Sequence, residues 1–500
     1  MASQVIATTP VPAEGLALRT RLLLEAPIVP TLLRLAGPNV VVMVVQAAVN
    51  AGEAYYIGWL GPEALAGVSL VFPLIMLMQT MSAGGMGGGV SSAIARALGS
   101  GRREDASALV LHAVVIACVM GALFTVAMLA GGPALYAAMG GVGGAAAAAV
   151  TYSNVVFAGA LAVWLFNMLA NVVRGTGNMA LPAGLVVGGA VLVLALAPAL
   201  ILGWGPIPSF GIAGAGAAFV GYYAAATIVL LVYLRSGRGL VRLSVGGARL
   251  RWRLFREILR VGVPGALNTV QTNLTVVLLT GLVGGFGTAA LAGYGMGARL
   301  EYLQIPLVFG LGSALVAMVG TNVGAGHLAR ARRIAFVGAT LAFALTETVG
   351  LLAALGPEVW LGLFTDDPDV LAAGAVYLRV VGPTYGFFGL GLALYFASQG
   401  AGRLLWPLLA GFTRLVLAAV GGWVAIHWFG GGLAALSTVM ALAFVTFGVT
   451  LAAAVTGGAW QCEVRPAAGR AEPFNDRNRQ CEVRPAAGRA EPFNDRNRTR

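Results

Sequence analysis

The sequence predicts an all-α membrane protein of about twelve spanning helices, arranged as two homologous six-helix bundles with both termini cytoplasmic. Three observations predict it: composition, the recurrence of long apolar runs, and an internal repeat. Of the 500 residues 58% are hydrophobic and only 10% charged, with a mean hydropathy of +0.85, far from the quarter of charged residues usual in soluble chains. The charges are also unevenly placed, since residues 461–500 alone hold 15 of them. No lysine occurs, so all 31 basic residues are arginine; that removes the P-loop, kinase and Schiff-base lysines and the enzymes built on them.

A span needs about 20 mostly apolar residues. Runs of that length centre on Val45, Leu74, Val119, Leu161, Leu192, Ala224, Val277, Val308, Leu345, Leu390, Val416 and Ala443. Breaks at glycine, proline or charge divide them, and 72 glycines suit close helix packing in a bilayer. The first run is read as a retained span, because residues 1–30 lack the compact basic-then-apolar order of a signal peptide. Arginines alternate with the gaps. Arg19, Arg21 and Arg34 precede the first span, Arg96, Arg102 and Arg103 follow the second, Arg174 the fourth, Arg235 to Arg256 the sixth, Arg330, Arg332 and Arg333 the eighth, and Arg403 the tenth. The intervening gaps carry Glu63, Glu358, Asp366, Asp367 and Asp369. The positive-inside rule then puts both termini and every even gap in the cytoplasm. The net charge of +12 is thus explained by topology, without the folded basic face that nucleic acid requires.

The chain repeats itself. Leu33–Pro38 (LRLAGP) matches Leu259–Pro264 (LRVGVP), and Gly61–Gly67 (GPEALAG) matches Gly287–Gly293 (GTAALAG), both at an offset of 226. Leu98–Gly101 matches Val323–Gly326, and Gly175–Gly177 with Pro182 matches Gly400–Gly402 with Pro407, at an offset of 225. Two six-helix halves entering from the same side are related by an axis along the membrane normal. The expected division is a segment 1–26, a first lobe 27–234, a basic linker 235–258, a second lobe 259–456 and a tail 457–500. In the tail, residues 461–479 recur identically at 480–498; the polar, proline-containing repeats are expected to be disordered.

Ionisable groups at membrane depth are costly and invite a functional reading. Gln46, Asn50 and Glu53 share one face of the first span, and a carboxyl withdrawn from water there is suited to take up and release a proton. The second half has Leu279 at the position of Glu53 and only the neutral stripe Asn268, Gln271, Thr272 and Thr275, so coupling is expected to be asymmetric. Asn154, Asn167 and Asn171 in span four offer neutral oxygens for sodium or for a protonated Glu53. Glu301 and Glu347 are further acids, with Arg299 and Arg379 as potential partners. Residues 299 and 301 point about 200° apart on a helix, so Glu301 needs a partner from another helix. Tyr294, Tyr302, Tyr385, Phe387, Phe388, Tyr395 and Phe396 are expected to line a cleft for flat cationic compounds. Cys118, Cys462 and Cys481 show no pairing ladder, and His112, His327 and His427 no metal-ligand spacing.

The run Glu53–Leu70 resembles the first-to-second helix signature of the multidrug and toxic compound extrusion (MATE) transporters. Ala298–Glu301, Val319–Gly326, Tyr377–Pro383 and Ala397–Arg403 resemble the family's later signatures in order, and the resemblance spans residues 27 to 456. It implies a twelve-helix exporter whose two bundles flank a central cleft and which exchanges protons or sodium for substrate. Glu53 stands where many members have an acid at the end of this helix. In the family's proton-coupled branch an Asp precedes the proline of the fifth helix; here Ala197 precedes Pro198, a departure from the pattern that carries the paired-carboxylate site. The expected function is export of organic, cationic or amphipathic compounds by alternating access, with no catalysis and no cofactor besides the coupling ion, H+ or Na+. The expected partners are small-molecule substrates and the lipid bilayer, with no nucleic acid and no metal, for a monomer in the cytoplasmic (inner) membrane. A flippase for a lipid-linked saccharide or precursor in the same superfamily is the alternative. Such a flippase is expected to need more arginines at depth than Arg299 and Arg379.

Overall fold

The computed structural model describes residues 17–204, 208–244 and 249–460. The duplicated repeats of the tail and residues 1–16 lie outside the described residues, as does the side chain of Asn50. Eleven of the described helices are long and apolar enough to cross a membrane. Two shorter helices that meet at 48° are together long and apolar enough for a twelfth crossing. In chain order the spans are α1 Ile28–Gly58, α2 Pro62–Gly99 and α3 Arg103–Ala138, then α4, the bent pair Gly143–Ala158 and Ala160–Gly175. The first six end with α5 Ala180–Leu202 and α6 Ile212–Arg235. The second six are α7 Trp252–Gly284, α8 Thr288–Gly324, α9 Leu328–Leu355, α10 Pro368–Ala401, α11 Leu405–His427 and α12 Leu433–Thr456. All twelve centres read from hydropathy fall within these spans.

The repeat is visible in how equivalent helices begin and end. α2 and α8 each start after a glycine held at positive φ, Gly61 at 100° and Gly287 at 99°, a conformation that side-chain-bearing residues rarely adopt. The change of offset from 226 to 225 also has a structural cause. α2 has 38 residues and α8 has 37, and α2 alone of the two contains a π-helical turn, Met81–Met86. One extra residue accommodated inside a helix widens a turn in this way.

Buried apolar side chains form two clusters. One runs from Ile57 to Ile258 and the other from Val261 to Trp460, the second also taking Leu23, Leu32 and Ala36 from the start of the chain. α1 therefore divides its packing: Gly52 lies against Leu194 of α5, and Asn39 and Val40 lie against Gly310 of α8. Its equivalent, α7, mirrors this, with Asn268 and Gln271 against Gly411 of α11, and Gly262 and Gly265 against Met86 and Gly85 of α2.

The arginine-rich gaps gather at one end of the molecule. Arg253 pairs with Asp105 at 2.9 Å, the Arg251 N–H donates to His112 Nε2 at 2.9 Å, and Arg330 donates to the Ala26 carbonyl. The first and second halves of the chain meet in the half of the molecule nearer this basic end. Asn39 donates to Ser313 Oγ at 2.7 Å, Gln399 to the Gly84 carbonyl at 2.9 Å and Asn322 to the Leu23 carbonyl at 3.1 Å. Ser92 donates to the Gln399 carbonyl. Close backbone approach makes this seam tight: a Cβ on Gly89 would come within 2.7 Å of Gly262 N and Ile258 O, and one on Gly85 within 2.7 Å of Ala266 N. Small residues serve this purpose where helices must touch in a bilayer.

Candidate functional site

Glu53 lies near the end of α1 remote from the basic end, and its carboxylate is half-buried. The hydroxyl of Tyr152, a buried residue of the first α4 segment, donates to Glu53 Oε1 at 3.0 Å. Among the described residues no arginine forms an ion pair with Glu53. Gln46, also half-buried, follows the same helix two turns away. The carboxylate thus sits beside a neutral donor and lacks a fixed positive neighbour within ion-pair reach.

Asn167 and Asn171 do not join this group. They lie in the second α4 segment, roughly four turns from Tyr152, and their amides are spent on the π turn of α2. Asn167 donates to Ser82 Oγ at 2.8 Å, and Asn171 to the Ala83 carbonyl at 3.0 Å. A π turn displaces backbone carbonyls from their usual partners, and buried carbonyls need replacements. Gln399 from the second lobe supplies another, at Gly84. Asn154 is exposed.

The second lobe holds a cavity of about 30 Å³ between α7, α8, α11 and α12. Thr272, Thr275, Tyr294, Glu301 and Arg414 give it a polar lining, and Leu279 closes one side. Glu301 accepts from the Tyr377 hydroxyl at 3.4 Å. Arg414 is 6% exposed; it donates to Thr272 Oγ1 at 3.1 Å and lies 5.6 Å from the ring centroid of Phe388 and 5.0 Å from that of Phe447. No ion pair within 4 Å links Arg414 and Glu301 among the described residues, but they share the cavity walls. Arg414 was missed in the sequence because it lies inside a span and belongs to no basic gap. Tyr152 and Tyr377 were missed as a pair, although the repeat offset of 225 places one on the other.

A family model, MatE, matches residues 38–199 and 264–424. The chain belongs to the MATE family. Over 361 residues it is 32% identical to a probable multidrug resistance protein NorM of Deinococcus radiodurans, covering 69% of this chain and 75% of that protein. Over 415 residues it is 26% identical to a FAD transporter of Shewanella oneidensis, covering 80% and 90%. In fold it is similar to a MOP superfamily transporter from Pyrococcus furiosus, with a TM-score of 0.82 at 23% identity over 89% of this chain and 98% of that one. It is also similar in fold to an outward-facing multidrug resistance MATE family transporter, with a TM-score of 0.80 at 24% identity, covering 88% and 99%. As a MATE family member the protein is a multi-pass membrane transporter and not an enzyme.

For a MATE transporter the remaining expected residues divide sharply by location. Glu347 accepts the Gly386 N–H at 2.7 Å, which caps α10 where the helix restarts after the Gly382–Thr384 turn. It does not meet Glu301. Arg379 pairs with Glu358 at 2.8 Å, both 59% exposed, so it is not an arginine at depth. Arg299 is exposed, its guanidinium 5.4 Å from the Phe364 ring centroid. Of the aromatics, Tyr294 lines the cavity and Tyr302 is 48% exposed. Tyr385, Phe388 and Tyr395 are buried, Phe388 against Phe444 at 4.9 Å and Tyr395 against Phe396 at 5.2 Å. Those three are core side chains in this conformation, and an open cleft wall is not where they stand.

Proposed function

We propose that the protein is a secondary active exporter of organic, cationic or amphipathic compounds, driven by entry of protons or sodium through Glu53. The observation that carries this reading is the half-buried carboxylate of Glu53, held by Tyr152 and lacking, among the described residues, an arginine in ion-pair contact. A carboxylate in that setting takes its compensating positive charge from a mobile ion or from a cationic substrate, and the two exclude one another. Binding of the ion weakens the hold on substrate, which is the differential affinity that coupling requires. With the arginine-rich gaps cytoplasmic by the positive-inside rule, the seam at the basic end closes the cytoplasmic side. Glu53 then lies toward the outer side, where a proton or sodium ion enters. The multidrug names of the relatives support the substrate class. The relative named FAD transporter adds flat heteroaromatic compounds to those worth testing.

The test uses the full chain in proteoliposomes with proton and sodium gradients imposed separately, and an organic cation and FAD offered in parallel. Driven transport by the wild type under one gradient, and its loss in Glu53→Gln at unchanged protein level, is the expected result. Gln keeps the shape and hydrogen-bonding capacity of the side chain but removes the charge. Wild-type rates from Glu53→Gln under the same gradient would sink the reading.

A further inference from the structure

The repeat sets two tyrosines at one position, Tyr152 in α4 and Tyr377 in α10, and each donates to a carboxylate. The carboxylates are not equivalent. In the first lobe the acid comes from α1; in the second, α7 carries Leu279 at that place and Glu301 comes from α8. The lobes also differ in what stands at the second-lobe arginine position. Arg414 aligns at an offset of 225 with Gly189 of α5, so among the described residues only the second acid shares its surroundings with a fixed cation. Around Glu301 the charged and titratable side chains are Tyr294 and Tyr302 on its own helix, Tyr377 and Tyr385 on α10, and Arg414 on α11. α7 and α12 contribute only neutral groups to the cavity: Thr272, Thr275, Val276, Leu279, Met440, Ala443 and Phe444.

We propose that Arg414 is a built-in counter-cation for Glu301, occupying by a covalent tether the electrostatic role that a mobile ion plays at Glu53. The second lobe therefore carries a cation site that is already satisfied, and the number of ions moved per substrate is set by the first lobe alone. Three features of Arg414 suit the role. Its guanidinium lies near two aromatic rings whose faces attract cations, one N–H is held by Thr272, and Nε has no hydrogen-bond partner among the described residues. A buried charge is tolerated only with compensation, and removing one member of a compensating pair is far more damaging than removing both. The inference rests on the reading of Glu53 as the coupling residue, and the two fail in different ways.

The experiment compares Glu301→Gln, Arg414→Gln and the double variant in proteoliposomes, with driven transport as the first readout. Either single change is expected to reduce transport by about tenfold or more, and the double variant to recover to within about threefold of wild type. A double variant as inactive as Glu301→Gln would overturn the proposal, because it would mean that Glu301 itself cycles. The second readout is the thermal unfolding midpoint of detergent-purified protein across sodium concentration and pH. Arg414→Gln placed in the Glu53→Gln background is expected to acquire an ion-dependent shift that Glu53→Gln alone lacks, as the freed Glu301 recruits sodium or a proton. Absence of that shift in folded protein also overturns the proposal. A persistent ion-dependent shift in Glu53→Gln alone would instead count against Glu53 and leave the double-variant rescue as the measure of the pair.

Discussion

The two lobes share a scaffold and differ in their electrostatics. Each begins its second helix after a glycine at the same positive φ, and each aims an equivalent tyrosine at a carboxylate. In the first lobe that carboxylate has a neutral donor and no arginine in ion-pair contact among the described residues. In the second it shares a cavity with Arg414. The difference teaches that the repeat preserves backbone geometry more strictly than chemistry. Helix starts and close approaches are constrained by packing at every turn, whereas one charged side chain is replaced freely once its partner changes with it. Gly189, at the position of Arg414, shows how local the divergence is: a Cβ there would collide with the ring of Tyr222, so the first lobe has an aromatic ring beside the helix face that carries the guanidinium in the second.

The largest contrast is expected between Glu53→Gln and Leu279→Gln, which stand at one repeat position. The first should abolish ion-driven transport while leaving folding intact. The second places an amide in the wall of a cavity and should cost about 1–3 kcal/mol of stability through packing and desolvation, read as a lowered unfolding midpoint with ion coupling unchanged. If Leu279→Gln altered the coupling ion, the division of labour between the lobes would be wrong. An effect confined to stability is expected from Gly189→Ala. The added methyl must push the Tyr222 ring aside, and such overpacking costs about 1–3 kcal/mol; thermal unfolding of the purified protein checks it, and no loss at all would mean that the α5 to α6 contact is looser than described. The finest comparison is Tyr152→Phe with Tyr377→Phe. A hydrogen bond to an ionised group is worth about 1.5–3 kcal/mol, so losing the 3.0 Å bond to Glu53 should shift the half-saturating ion concentration by about tenfold or more. The longer bond to Glu301, at 3.4 Å, should matter less. Tyr377→Phe is expected to leave that concentration unchanged, as measured in the same transport assay.

The sequence by itself determined the number and placement of the spans, because about 20 apolar residues must cover a hydrocarbon core and the chain interrupts them on schedule. It determined the two-lobe repeat as well, down to the one-residue change of offset that α2 absorbs as a π turn. It also required that Glu301 find its partner on another helix, since side chains two apart on a helix diverge. Which helix supplied that partner was decided only by tertiary structure. Arg414 lies 113 residues along the chain from Glu301, and their sharing of one cavity depends on how α7, α8, α11 and α12 pack. The same holds for Asn167 and Asn171, whose amides look like ion ligands in one dimension and in three donate to the Ser82 hydroxyl and the Ala83 carbonyl in the π turn of α2. Span counts follow from chain-local solvation, which a sequence states directly. Pairings between buried polar groups follow from the relative height and rotation of separate helices, where a shift of one residue turns a side chain by about 100° and exchanges one partner for another.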